Sequence, residues 1–301
     1  MKNALFYYYQ INALKLIKEK RYYYFEEGEN IYYLYLVDRP LDYVNEVVLL
    51  NKYLINTKFM TIIYNINGQA LSLINNHYYI LLKDNKNKRF NFNDFYQPYY
   101  CFNEMLKLKL LDHSDWGKLW SSKIDYFEYQ KKYIKIKYPI LYKSVDYFIG
   151  FGENAISYFN AVNSFLKKDY NDMLVVSRRR VNFDDLSFYN PLNLVIDNKA
   201  RDVGEYLKYI FIKDDYNDDL LETLITNLEY SNYQYALLMA RVLFPSFYFD
   251  VYESIINGYI KEKEIEKILV RAKDYESYLS KIYILINKNQ SIFKIDWLEV
   301  T

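Results

Sequence analysis

Glycine, proline, cysteine and histidine are scarce: seven, five, one and two in 301 residues. One cysteine, Cys101, excludes an intramolecular disulfide framework and reads as a reduced, packed thiol. With only His77 and His113, in different expected lobes, a His/Cys zinc site has no ligand set. No apolar run approaches ~18 residues, so no membrane span is expected. Charge of one sign is also lacking. Lys and Arg number 39 against 38 Asp and Glu, so no global basic field points to nucleic acid or an anionic membrane. The start, Met1-Lys2-Asn3, leads into Tyr-rich polar sequence and not a signal segment, so cytoplasmic synthesis is expected.

Apolar residues make up 51% of the chain, enough for one large domain or two lobes with their own cores. Tyrosine is in great excess, at 38 residues. With Asn, Ile and Lys it reads as the imprint of an AT-rich genome. So many phenols cannot all be buried with a partner for each hydroxyl, so some face solvent.

The first third reads as strands: Ala13–Ile17, Arg21–Phe25 and Ile31–Val37. The last two are joined at Glu26–Glu29, where Gly28 adopts a positive φ cheaply. A helix opens at Pro40, with Leu41, Val44, Val47, Leu50 and Leu54 at helical spacing. Strands Thr61–Asn65 and Tyr78–Leu82 flank a turn at Asn67-Gly68. The polar stretch Asp84–Asp94 reads as a connector, partly basic through Lys86, Lys88 and Arg89. Helical periodicity follows in Phe95–Leu111, Trp116–Ile136 and Glu153–Lys168. Short buried strands are expected at Met173–Val176 and Leu192–Ile196, then helices from Arg201–Lys213 to Asn287. The outline is an α+β, protein-kinase-like fold. A small N-terminal antiparallel sheet lobe with one helix (1–83) and a connector (84–94) precede a larger, mainly helical C-terminal lobe (95–301).

Phosphoryl transfer needs a phosphate cradle, a strand lysine paired with a helix carboxylate, an Asp base, an Asn five residues on, and a metal-binding Asp. Gly150-Phe151-Gly152 lacks the third glycine of a cradle. The turn Glu26–Glu29, read as the place of the phosphate cover, carries three carboxylates that would repel triphosphate. Glu46 is the candidate helix carboxylate, but the strand before it holds no lysine, so Glu46 reads as a locally paired residue. Asp185 and Asn190 have the D-x-x-x-x-N spacing, and Asp197 ends an apolar stretch. The enzymatic reading makes Asp185 the base, with Asn190 and Asp197 holding Mg²⁺ and Glu46 serving the nucleotide. Against it, only six residues separate Asn190 from Asp197, where a hairpin needs about ten. The run Ser177-Arg178-Arg179-Arg180 is a candidate anion site at Arg178, Arg179 and Arg180. Pairing with Asp184, Asp185 or Asp202 ranks first.

Two segments carry a family resemblance. Gly150–Tyr158 resembles a GxxENAIxY signature through Glu153, Asn154 and Tyr158. Asp197–Tyr206 resembles DHxxRDxAEW through Arg201, Asp202 and Glu205. Trp120, Asp125 and Glu128 sit where the same group has a W…D..E helix. Together these resemble the YutH/CotS spore-coat proteins, a divergent branch of the aminoglycoside-phosphotransferase-like kinase superfamily, over the whole chain. The resemblance implies that Asp197 matches the metal-binding Asp of active relatives and that Asp202 caps the next helix. Ser177 stands where the branch has His in a CHxRF loop, with Arg179 matching the Arg. Asn198 replaces the His after the Asp, and Tyr206 the Trp. Bottom-up, Glu153 reads as a helix start after Gly152, with Asn154 and Tyr158 on one face. The expectation is a catalytically degenerate kinase-like protein, without cofactor, in the spore coat. Its partners would be coat or other proteins, with neither nucleic acid nor membrane. The alternatives are an inactive ATP-binding pseudokinase and an active phosphotransferase using ATP and Mg²⁺ on a small hydroxylated substrate.

Overall fold

The computed structural model describes residues 1–301 apart from 55–56, 87–89, 97, 102–106, 180–182, 184, 289 and 300–301; of Asp185 only the backbone is described. The chain forms two compact units. One comprises 1–94, 101–112 and 178–196; the other comprises 95–100, 113–177 and 197–301. The chain thus passes between units several times, where the sequence suggested a single connector at 84–94.

The first unit is built on an antiparallel sheet. Its strands are β1 (Ile17–Lys18), β2 (Tyr22–Glu27), β3 (Asn30–Leu36), β4 (Thr61–Ile63), β5 (Leu71–Ile74) and β6 (His77–Asn85). The order is β1-β2-β3-β6-β4, with β5 also on β6. Alternation sorts the two faces. Phe25, Leu34 and Leu81 face helix α1 (Lys2–Tyr9), where Leu5 is fully buried. On the other face Tyr33, Tyr35, Ile80 and Leu82 pack with Met60, Ile62, Leu186 and Leu192. Helix α2 (Leu41–Tyr53) begins after Pro40 as expected and buries Val44, Val47 and Leu50. Its Asn51 holds β4: the side chain donates to Met60 O and accepts from Ile62 N. The β2–β3 hairpin matches the sequence reading, with Gly28 at φ 56°.

Three readings of this unit change. Helix α1 was not anticipated, and Ala13–Ile17 contributes only Ile17 to a strand. Strand β5 is new; it meets β6 through Asn75 and Asn76, both at positive φ, the backbone of a tight hairpin that Asn tolerates. The stretch Phe95–Leu111, expected as a helix, holds no α-helix among its described residues. A 3₁₀ turn covers Phe92–Tyr96, and Tyr100 bridges Val175. Pro98 lacks a backbone donor.

The second unit is helical: α3 (Trp116–Ile134), α4 (Pro139–Phe165), α6 (Ala200–Lys213), α7 (Asp218–Thr226), α8 (Asn232–Leu243), α9 (Ser246–Ile256), α10 (Glu266–Leu269), α11 (Ala272–Asn287) and α12 (Asp296–Glu299). Strands β7 (Val175–Arg178) and β8 (Leu194–Asp197) lie where the chain passes between units, and the short helix α5 (Asp185–Phe188) belongs to the first unit. Helix α8 is buried from Tyr233 to Leu243. The main correction is α4, one helix of 27 residues that runs through Gly150 and Gly152. A Cβ at Gly152 would stand 2.5 Å from Ile124 Cδ1, so this glycine admits α3 against α4. Glu153 is therefore mid-helix, and the reading of its carboxylate at a helix start falls.

Candidate functional site

In the first unit, Glu46 sits in the middle of α2, next to buried Val47 and one turn from buried Leu50. Its Oε2 accepts from Leu110 N at 2.9 Å and Leu111 N at 3.1 Å. The carboxylate thus terminates a loop instead of pairing with a strand lysine. Asn190 is buried, and its Oδ1 accepts from Leu192 N, capping the 3₁₀ turn Pro191–Asn193. That turn leads straight into β8, leaving no room for a hairpin between Asn190 and Asp197. Arg178 is buried with its guanidinium 3.7 Å from the Phe188 ring centroid, and its Nε donates to Phe188 O. Such stacking with a carbonyl partner suits a framework arginine. Arg179 is exposed; its amide donates to Asn193 O and its guanidinium lies 6.0 Å from the Tyr43 ring. Arg180, Asp184 and the Asp185 side chain lie outside the described residues. A cleft of about 410 Å³ opens in this unit, lined among others by Arg21, Tyr22, Tyr35, Arg39 and Asn190. Arg39 also donates to Leu192 O and Asn193 Oδ1, tying the start of α2 to the same turn.

In the second unit, Asp197 is the last residue of β8 and is completely buried. Its Oδ1 accepts from Trp116 Nε1 at 2.8 Å and from Asn198 N at 2.7 Å. Its Oδ2 is in an ion pair with Arg201, one helical turn on and 6% exposed. Burial pushes the Asp197 carboxyl up from its ordinary value, against the pull of Arg201 and Arg241. Burial works against the Arg201 cation too, but Asp197 and Glu205 outweigh it and hold that guanidinium above its usual value.

Glu205 continues the network on the next turn of α6. It accepts from Lys208 Nζ at 2.8 Å, Arg241 Nε at 2.7 Å and Ser246 Oγ at 3.2 Å. Burial alone would raise its carboxyl, yet Lys208 and Arg241 overcome it and hold the group well below the carboxylate range. Burial pulls Lys208 from 10.5 down to about 8. Arg241 also lies 4.9 Å from the Trp116 ring. Gly204 makes room for it, since a Cβ there would meet Arg241 Cγ at 2.6 Å.

The remaining signature residues separate. Tyr158 donates to Phe293 O at 3.3 Å and fixes α4 to the segment before α12. Glu153, Asn154, Asp125 and Glu128 are exposed, and Trp120 is buried, stacked on Phe244. Helix α6 is N-capped by Lys199 without a side-chain bond, and Asp202 lies in its first turn. Ser177 Oγ is buried with no hydrogen-bond partner among the described residues. Sequence reasoning missed Trp116, Lys208 and Arg241. Arg241 left one signal, a lone cation in the apolar run Ala236–Phe244, which demands a buried counter-charge.

A Mg²⁺–nucleotide complex does not fit these residues as they stand. Asp197 has both oxygens engaged and no exposed surface, and Asn190 Oδ1 is committed to the backbone. Among the described residues no group of three or more His, Cys, Asp or Glu could hold a metal ion.

Comparison with known proteins agrees with the fold. A family model described as "Spore coat putative kinase YutH" matches residues 2–282. The chain is similar to the endospore coat-associated protein YutH of Bacillus subtilis (strain 168), 27% identical over 209 residues. That match spans 61% of each protein, less than two thirds of the curated relative. Among solved structures, the chain is similar to an aminoglycoside phosphotransferase from Alicyclobacillus acidocaldarius. The TM-score is 0.65 with 11% identity, covering 92% of this chain and 93% of the other. It is also similar to spectinomycin phosphotransferase in complex with ADP and spectinomycin, with TM-score 0.54 and 10% identity, covering 99% and 95%. At such identities the likeness concerns the fold alone, which is the α+β, aminoglycoside-phosphotransferase-like kinase fold.

Proposed function

The chain belongs to the spore coat putative kinase YutH family, and from that premise we propose that it is a catalytically degenerate kinase-like protein with a structural or interaction role in the spore coat. The observation that carries this reading is the state of Asp197. The resemblance matches it to the metal-binding aspartate of active relatives. Here its carboxylate is fully buried and serves Trp116, Asn198 and Arg201. Moving it to a metal would strand the buried Arg201 cation, a cost of several kcal/mol. Glu46 and Asn190 support the same reading, each holding backbone N–H groups. Partners on this reading are other coat proteins, met through exposed tyrosines such as Tyr7, Tyr53 and Tyr170.

Calorimetric titration of ATP with Mg²⁺ into the full chain tests this, together with thermal unfolding in the same buffers. The expected result is no saturable heat and no rise in Tm at millimolar nucleotide, because a specific ligand must stabilise the fold by mass action. A nucleotide-dependent rise in the unmodified chain sinks the purely structural reading. Its loss in Asn190→Ala would then favour the alternative, a phosphotransferase with Asp185 as base.

A further inference from the structure

Near-equal charge over the whole chain hides one segregated segment. From Tyr129 to Val145 there are five lysines (Lys131, Lys132, Lys135, Lys137 and Lys143) and no Asp or Glu. The segment is the end of α3, the turn Lys135–Lys137 and the start of α4, all in one unit. Helix α3 turns Trp120, Ile124, Phe127 and Ile134 inward. Its 3.6-residue period puts Tyr129 and Tyr133 on the opposite side. There Tyr129 is 58% exposed and Tyr133 68%; Ile136, in the turn, is 97% exposed.

The lysines beside these side chains are exposed at 132, 135 and 137. Their ammonium groups lie near rings: Lys132 by Tyr129 at 5.9 Å, Lys135 by Tyr142 at 5.5 Å and Lys137 by Tyr138 at 5.0 Å. Of the nearby carboxylates, Glu128 is exposed one helical turn before Lys132, and two others are already engaged. Asp146 pairs with Lys131, and Glu262 accepts from the amides of Ile140 and Leu141. Among the described residues Lys132, Lys135 and Lys137 make no ion pair.

We propose that the tip of the α3–α4 hairpin docks onto an anionic phospholipid bilayer. Ile136 and Tyr133 would enter the headgroup boundary while the lysines stay among lipid phosphates. Charge complementarity and geometry select this occupant. Strand and helix ligands use sheet edges and grooves, and acidic motifs use arginine clusters, whereas these side chains project from a turn and the cations are lysines. A second copy would bring the same lysines face to face, and like charges oppose that contact. Membrane partners were not expected from net charge. A patch, however, acts within a Debye length of about 8 Å, where only its own charges count. Docking of this kind is peripheral: no described helix is long and apolar enough to cross a membrane.

Flotation of the full chain with vesicles tests the proposal. One set is phosphatidylcholine, the other equal parts phosphatidylcholine and phosphatidylglycerol. The chain is expected to float with the mixed vesicles only. Lys132→Gln/Lys135→Gln/Lys137→Gln should weaken binding roughly fivefold per lysine. Tyr133→Ser/Ile136→Ser should weaken it several-fold at physiological salt. Both variants change exposed side chains, so unchanged Tm values would show intact folding. Failure to float on anionic vesicles overturns the proposal, as does binding that neither variant alters. Binding lost with the lysines but indifferent to Tyr133 and Ile136, and matched by poly-glutamate, would instead mark an acidic-protein site.

Discussion

The oxygens of Asp197 and the guanidinium of Arg201 define the residue scale, since each is buried only because the other is present. Removing one partner leaves an uncompensated charge, whereas removing both leaves none. Asp197→Ala or Arg201→Ala is therefore expected to cost about 3–5 kcal/mol in urea unfolding. The double replacement should cost less than the sum, by more than the ~0.5 kcal/mol scatter of independent sites. Additive losses would mean that the two groups do not depend on each other. That Arg201 and Glu205 are candidates was legible in the sequence, through the resemblance of Asp197–Tyr206. Their roles were not, because the residues that complete the network, Trp116 and Arg241, lie far along the chain.

At the scale of elements, local pattern identified the β2–β3 hairpin, α2 and much of α3, where period and turn residues agree. It misread α4 because Gly150 and Gly152 look alike whether they end a helix or let another helix approach. Only the neighbour decides, and at Gly152 that neighbour is Ile124. Gly204 repeats the logic between α6 and α8. Gly204→Ala should gain helix propensity of up to ~1 kcal/mol. It also drives a Cβ into Arg241, and overpacking costs typically ~1–3 kcal/mol. The expected outcome is a net loss of Tm, with Gly150→Ala as control, since a Cβ there meets nothing within 4 Å. A Gly204→Ala protein as stable as the parent would show that Arg241 can move without cost.

For the molecule as a whole, the buried network ties stability to pH. Glu205 has its folded value depressed below the ordinary 4.5. Its contribution is therefore present above about 4.5 and lost as pH falls through the folded value. Lys208, lowered from 10.5 to about 8, opposes folding while charged. That cost is relieved as pH rises from about 8 toward 10.5. Urea midpoints of the parent should thus fall on acidification below about pH 4.5, and Glu205→Gln should flatten that fall at the price of lower stability near neutrality. Parallel curves for the two proteins would remove Glu205 from the acid response.

Composition and pattern by themselves determined the α+β outline and the scarcity of histidine and cysteine. These follow from residue type and short-range periodicity, which need no knowledge of what packs where. The tertiary structure decided what the polar residues do. A carboxylate at the end of a buried strand can meet a metal or an arginine, and the sequence around Asp197 is compatible with both. Which one it meets depends on Trp116, Arg201 and Arg241 being brought to the same dry place, where an unpaired charge is too costly to leave.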